Sequence, residues 1–133
     1  MHYITLAAAA LLATPMTAGE ITSYYADLDA ADMRNSGGAV LRDMGAVLQQ
    51  DRANVHRFGI TQEGDEIDAV FADRDMRAQI PALYANGPKV DGLAGWIARG
   101  QSIRVFVSIC GTKSRPDYMI VNFGDGALAY TCD

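Results

Sequence analysis

The sequence predicts an α+β domain, and three observations carry that expectation. Apolar residues recur at helical spacing between residues 39 and 99. From Ser102 the period switches to two, and strand-type residues then run to the C-terminus. Helical segments therefore precede strands instead of alternating with them, which separates α+β from α/β. The expected architecture is a set of N-terminal helices packed on a C-terminal three-stranded antiparallel meander, with residues 55–61 as a candidate additional strand.

The first helix rests on Val40, Leu41, Met44, Val47 and Leu48, which share one face at i, i+1, i+4, i+7 and i+8. Gly38 and Gly45 flank that stripe, at a cost of about 1 kcal/mol each inside a helix. His56, Phe58 and Ile60 alternate as in a short strand. Gly64 and Asp65 then open a second helix, with Asp65, Glu66 and Asp68 at the positive end of its dipole and Ile67, Val70 and Phe71 on its apolar face. Asp73 caps a third helical piece that Pro81 interrupts or restarts. A last helix runs over residues 91–99, with Asp91 as N-cap, Trp96 and Ile97 as buried anchors and Gly100 just past its end.

The strands come last. Ile103, Val105, Val107 and Ile109 alternate with Arg104, Phe106, Ser108 and Cys110. Residues 118–123 make a second strand, Gly124-Asp125-Gly126 a tight turn, and residues 127–132 a third.

The two cysteines, Cys110 and Cys132, make a disulfide the natural expectation for an exported chain. An up-down-up meander brings both to one end of the sheet. In strict sequential order, however, they lie two strands apart, about 9.6 Å, whereas a disulfide holds Cα atoms within about 6.8 Å. Either the tail bends across the middle strand, or the third strand lies beside the first.

Export is read from the N-terminus. Residues 4–16 form an apolar, uncharged run rich in Ala and Leu, too short for the roughly 20 residues that span a bilayer. Pro15 and the small residues Thr17, Ala18 and Gly19 complete the pattern of a signal peptide and its cleavage site. The domain division is therefore residues 1–19 as signal peptide and 20–133 as one compact exported domain, periplasmic or secreted, with no transmembrane segment in the mature chain. The net charge of -5 argues against nonspecific nucleic-acid binding. Arg far outnumbers Lys, and Ala, Gly and Asp are common, a bias typical of GC-rich bacterial coding.

Catalytic motifs are sparse. His56 is the single histidine after residue 19, and no G-x-S-x-G elbow accompanies it. It is a weak catalytic candidate, since a lone histidine near a strand is most often structural. The acidic group Glu63, Asp65, Glu66, Asp68, Asp73 and Asp75 offers oxygen ligands for a hard cation, but its order does not match a calcium loop, and helix N-terminal roles explain most of it. No phosphate-binding glycine loop occurs, and neither a metal nor a cofactor is expected. The loop Thr112-Lys113-Ser114-Arg115-Pro116 is the distinctive surface feature. It sets two cations beside Cys110 in an otherwise acidic chain, between two strands of a rigid scaffold. Tyr24 and Tyr25 either join a binding surface or pack against the domain, and packing is the simpler expectation. The leading functional expectation is a noncatalytic binding module that meets another envelope protein or an anionic ligand through Lys113, Ser114 and Arg115. A structural envelope component and a small periplasmic hydrolase using His56 or a carboxylate pair are the alternatives.

Mass spectrometry of the exported chain is expected to find a mature N-terminus at Gly19 or Glu20. Recovery of an intact residue 4–16 run on the exported protein would remove the signal-peptide reading.

Overall fold

The computed structural model describes residues 18–133. The signal peptide expected over residues 1–19 lies almost wholly outside them.

The chain is an α+β fold built on a three-stranded antiparallel sheet. Its strands are β1 (Gly19–Leu28), β2 (Ile103–Thr112) and β3 (Arg115–Phe123), in the order β1-β2-β3. Between β1 and β2 run α1 (Met44–Ala53), a π-helical turn (Asn54–Phe58), a 3-10 turn (Val70–Ala72), α2 (Arg74–Ala78), α3 (Ile80–Asn86) and α4 (Leu93–Ala98). The expected strands at 103–110 and 118–123 are present, each slightly longer than the alternation suggested.

The third strand comes from the other end of the chain. Residues 127–132 form no strand, and β1 takes their place beside β2, with Tyr24 opposite Val107 and Ala26 opposite Val105. Tyr24, Ala26 and Leu28 point into the core at period two, while Ser23, Tyr25 and Asp27 alternate outward. The helix-facing side of the sheet is apolar throughout: Val105, Val107 and Ile109 from β2 join Met119 and Val121 from β3. Against it pack Met44, Val47 and Leu48 of α1, Ile80 and Leu83 of α3, and Leu93 and Ile97 of α4.

The opposite face carries Phe106, Ser108 and Cys110, paired across β2 and β3 with Asn122, Ile120 and Tyr118. Here the tail is held. Asn122, fully buried, accepts from the Ala129 N–H at 2.9 Å and donates to the Tyr130 carbonyl at 3.0 Å. The Cys110–Cys132 disulfide, with Cα atoms 5.5 Å apart, ties down the chain end. Of the two resolutions of the spacing conflict, the tail takes the first: it bends back across β3, the middle strand of the expected meander.

Several local expectations are corrected. The first helix starts at Met44 rather than near Ala39, because Asp43 caps it by accepting from the Ala46 N–H and because Val40 is held in a bridge with Arg34. Residues 55–61 are not a strand. The π-helical turn continues α1 through His56 and Phe58 and stops at Gly59, whose φ is 65°. No helix begins at Asp65. Its carboxylate accepts from the backbone N–H groups of Gln62 and Asp27, while Glu66 exchanges hydrogen bonds with Tyr25 through its side chain and its own N–H. Residues 62–66 thereby close the outer edge of β1 at Tyr25 and Asp27, where an open strand edge invites pairing with another chain. Asp73 does cap α2, and Pro81 does open α3. The last helix begins after Gly92 with no side-chain cap from Asp91, and Trp96 is exposed at 38% and not a buried anchor, while Ile97 is buried.

The disulfide closes a loop of 22 residues. Cys132→Ser is expected to cost about 3 kcal/mol of stability in the chain-entropy account and to expose residues 124–133 to protease, both read by urea denaturation and limited proteolysis. A variant with unchanged stability and a resistant tail would show that Asn122 alone suffices to hold it.

Candidate functional site

Lys113 and Ser114 are the two turn residues of the β2–β3 hairpin, since Thr112 pairs with Arg115. Lys113 has a φ of 58°, the one positive value among the described non-glycine residues. Holding a residue with a Cβ there costs roughly 1–2 kcal/mol, and such outliers cluster at binding and catalytic sites. The register also shifts between Cys110 and Gly111. A β-bulge of this kind re-aims the strand it interrupts. Gly111 is required at it, because an added Cβ would collide with the Arg115 carbonyl.

The hairpin end faces α2 and α3 across an open groove of about 550 Å³. Ser114, Arg115 and Asp117 line one wall, and Met76, Gln79 and Asn86 line the other. Two of the three loop residues singled out from sequence thus sit on a concave surface. Lys113 stands at the exposed tip and does not line the groove. Neither Lys113 nor Arg115 has an ion-pair partner among the described residues. The groove offers one cation, one carboxylate, two amides and apolar surface from Met76 and Leu83, a lining of mixed polarity. No sequence signal marks the α2–α3 wall, because the residues on it are ordinary helix surface until the hairpin is folded against them.

His56 occupies a different place. Its side chain is 8% exposed, and Nε2 lies 2.9 Å from Asp68 Oδ1. That oxygen also meets Arg52 Nη1 at 3.0 Å, and Asp68 Oδ2 accepts from the Phe71 N–H at 2.6 Å. Burial works to raise the Asp68 pKa, but the hydrogen bonds from His56, the Phe71 N–H and Arg52 outweigh it and hold the carboxyl below its ordinary value. Arg52, fully buried, reaches Asp51 through Nε at 2.7 Å and the Glu66 carbonyl at 2.8 Å, and its guanidinium lies 4.0 Å from the Tyr24 ring centroid. Burial pushes Asp51 well above the ordinary carboxylate range against the pull of Arg52. One guanidinium thus faces two buried carboxylates, Asp51 and Asp68.

This arrangement is a structural anchor. The single hydrogen-bond partner of His56 among the described residues is a carboxylate already committed to Arg52 and a backbone N–H, and both cysteines are in the disulfide. The acidic residues of 63–75 are likewise dispersed: Asp65, Glu66, Asp68 and Asp73 each accept from backbone N–H groups. Among the described residues no three His, Cys, Asp or Glu side chains gather as a metal site. Tyr24 packs in the core with its ring edge-on to Phe71, whereas Tyr25 lies on the outer face 4.8 Å from Phe106.

Comparison with known proteins finds no matching family model, no similar curated protein and no similar solved structure. The formed disulfide fits an oxidising compartment, and no described helix is long and apolar enough to cross a membrane.

Arg52→Met is expected to cost about 3–5 kcal/mol, because it leaves Asp51 and Asp68 buried without their counter-charge. Urea denaturation measures it. A loss under about 1 kcal/mol would place the anchor of the fold elsewhere.

Proposed function

We propose that this chain is a noncatalytic binding module of the periplasm or the extracellular space, which holds a polypeptide segment of another exported protein. The observation that carries this reading is the groove between the β2–β3 hairpin and helices α2 and α3, with Arg115 on its wall and without a carboxylate partner among the described residues. Three features support it. A two-residue turn and the nearby disulfide stiffen the hairpin, so its side chains lose little freedom on binding. The lining combines amides, opposite charges and apolar surface, the mixed chemistry that a polypeptide segment also presents. Lys113 at the tip extends the positive charge beyond the groove and steers an acidic partner towards it in a chain of net charge -5.

The reading also accounts for the sparse catalytic inventory. The one histidine of the described residues is locked to Asp68, and the hairpin groove contains no histidine or cysteine. Recognition needs neither.

The test is capture from an envelope fraction with the oxidised protein as bait and the Lys113→Ala/Arg115→Ala double variant as control. Alanine adds no new strain at position 113, where a Cβ is already accommodated at positive φ. The partner retained by the wild type is expected to bind the folded double variant more weakly by roughly tenfold or more, the size of a lost arginine hot spot. A partner held equally well by both proteins would remove the hairpin as the recognition surface.

A further inference from the structure

A second cleft shares no residue with the hairpin groove. Its volume is about 410 Å³, within the range of roughly 300–1,000 Å³ typical of small-molecule sites. The loop after β1 forms one wall, with Arg34 and Ser36. The end of α1 and the π-helical turn form the other, with Gln50, Asn54 and Phe58, and Ile60 lies just after the turn.

The local structure explains why apolar side chains stand in the open here. A π-helical turn adds a residue to the helical repeat and so rotates the next residues out of register with the core-facing stripe, and such turns recur at functional sites. Gly59, at φ 65°, ends it, and the Ile60 N–H returns to the Asn54 carbonyl at 2.8 Å. Phe58 and Ile60 are left 42% and 46% exposed on the same cleft. Nothing in the fold requires them there: they belong neither to the buried core nor to the part-buried shell packed on it.

The polar side of the cleft is built and carries one cation, Arg34. Asn54 is buried, with every side-chain function committed: Nδ2 donates to Asp32 Oδ1 at 2.9 Å and to the Ala31 carbonyl at 3.3 Å, and Oδ1 accepts from Gln50 at 2.8 Å. The floor is therefore fixed before anything binds. Asp32, the nearby carboxylate, does not line the cleft, and its Oδ1 and Oδ2 accept from Asn54 and from the Asp29 N–H. Arg34 is positioned by Nη1 on the Gly38 carbonyl at 3.1 Å, which leaves the rest of its fork available. Arg57 lies 4.9 Å from the Phe58 ring centroid. Neither arginine has an ion-pair partner among the described residues.

Exposed aromatic and branched aliphatic surface, beside the unpaired guanidinium of Arg34 in an acidic protein, selects a ligand that is apolar over its body and negative at one end. We propose that this cleft is a binding site for a small amphipathic carboxylate, whose body lies between Phe58 and Ile60 and whose carboxylate pairs with Arg34. The guanidinium fork suits a planar carboxylate through paired N–H donors. The Ser36 hydroxyl and the Gln50 amide orient the group that the arginine holds.

The test monitors backbone amide shifts of the disulfide-intact exported protein during titration with 1-naphthoate, with the uncharged 1-naphthalenemethanol as a matched probe. Saturable shifts are expected at Ala31, Ser36, Gln50, Phe58 and Ile60. Arg34→Gln is expected to weaken naphthoate roughly tenfold or more while leaving the alcohol within about twofold, and Phe58→Ala to weaken both. The alcohol thus reports that the variant cleft is intact. Absence of saturable shifts up to about 5 mM, or equal losses of both probes in Arg34→Gln, would overturn the proposal. Shifts centred on residues 112–117 would also overturn it and leave the hairpin groove as the site.

Discussion

The buried guanidinium of Arg52 is the interaction on which this fold most depends. It leaves α1, lies over the Tyr24 ring of β1 and holds both Asp68 and the Glu66 carbonyl. Three segments distant in sequence are thereby fixed to one another at a fully buried place. An apolar side chain of similar size would fill the space, but it would not specify where residues 66–71 sit, because that stretch has little regular structure of its own. Breaking a buried pair is costly because the partner charges remain behind. His56 completes the arrangement from the π-helical turn, where its contact with Asp68 ties the end of α1 to residues 66–71.

The sheet is small and two-sided, and each side meets a different solution. One face is sealed by helices. The other has no second layer of regular structure and is covered in part by the C-terminal tail, held by Asn122 and by the disulfide. Ser108, Ile120 and Asn122 are buried on that face. For a domain of this size, a covalent staple replaces the hydrophobic layer that a longer chain would supply. The outer edge of β1 is closed in the same economical way, by a loop whose carboxylates and backbone stand in for a neighbouring strand.

Both surfaces proposed for recognition sit where rigid elements end. The hairpin tip is set by a bulge and a left-handed lysine, and the α1 cleft by a π-helical turn and a left-handed glycine. In each, irregular backbone carries side chains away from the core while the residues behind them are fixed. A scaffold that positions exposed groups in this way binds without the cost of ordering them first.

The sequence by itself determined the fold class, the helices around Leu48, Ile80 and Ile97, the two strands of the hairpin and the pairing of Cys110 with Cys132. These are set by local periodicity, capping residues and cysteine parity, all readable within a few residues of one another. The Lys113-Ser114-Arg115 turn was legible for the same reason. Even β1 left a trace, in the alternation of Tyr24, Ala26 and Leu28, although a polar setting obscured it. Only the tertiary structure decided which segment pairs with β2, because residues 19–28 and 127–132 have similar strand character and the choice depends on which can bury a face against the helices. It also decided the fate of the acidic residues from Glu63 to Asp75, since a carboxylate serves a helix start or a distant backbone N–H equally well. The facing walls of both clefts were its decision too, because residues such as Gln79, Arg34 and Phe58 acquire a common environment only when segments far apart in sequence are brought together.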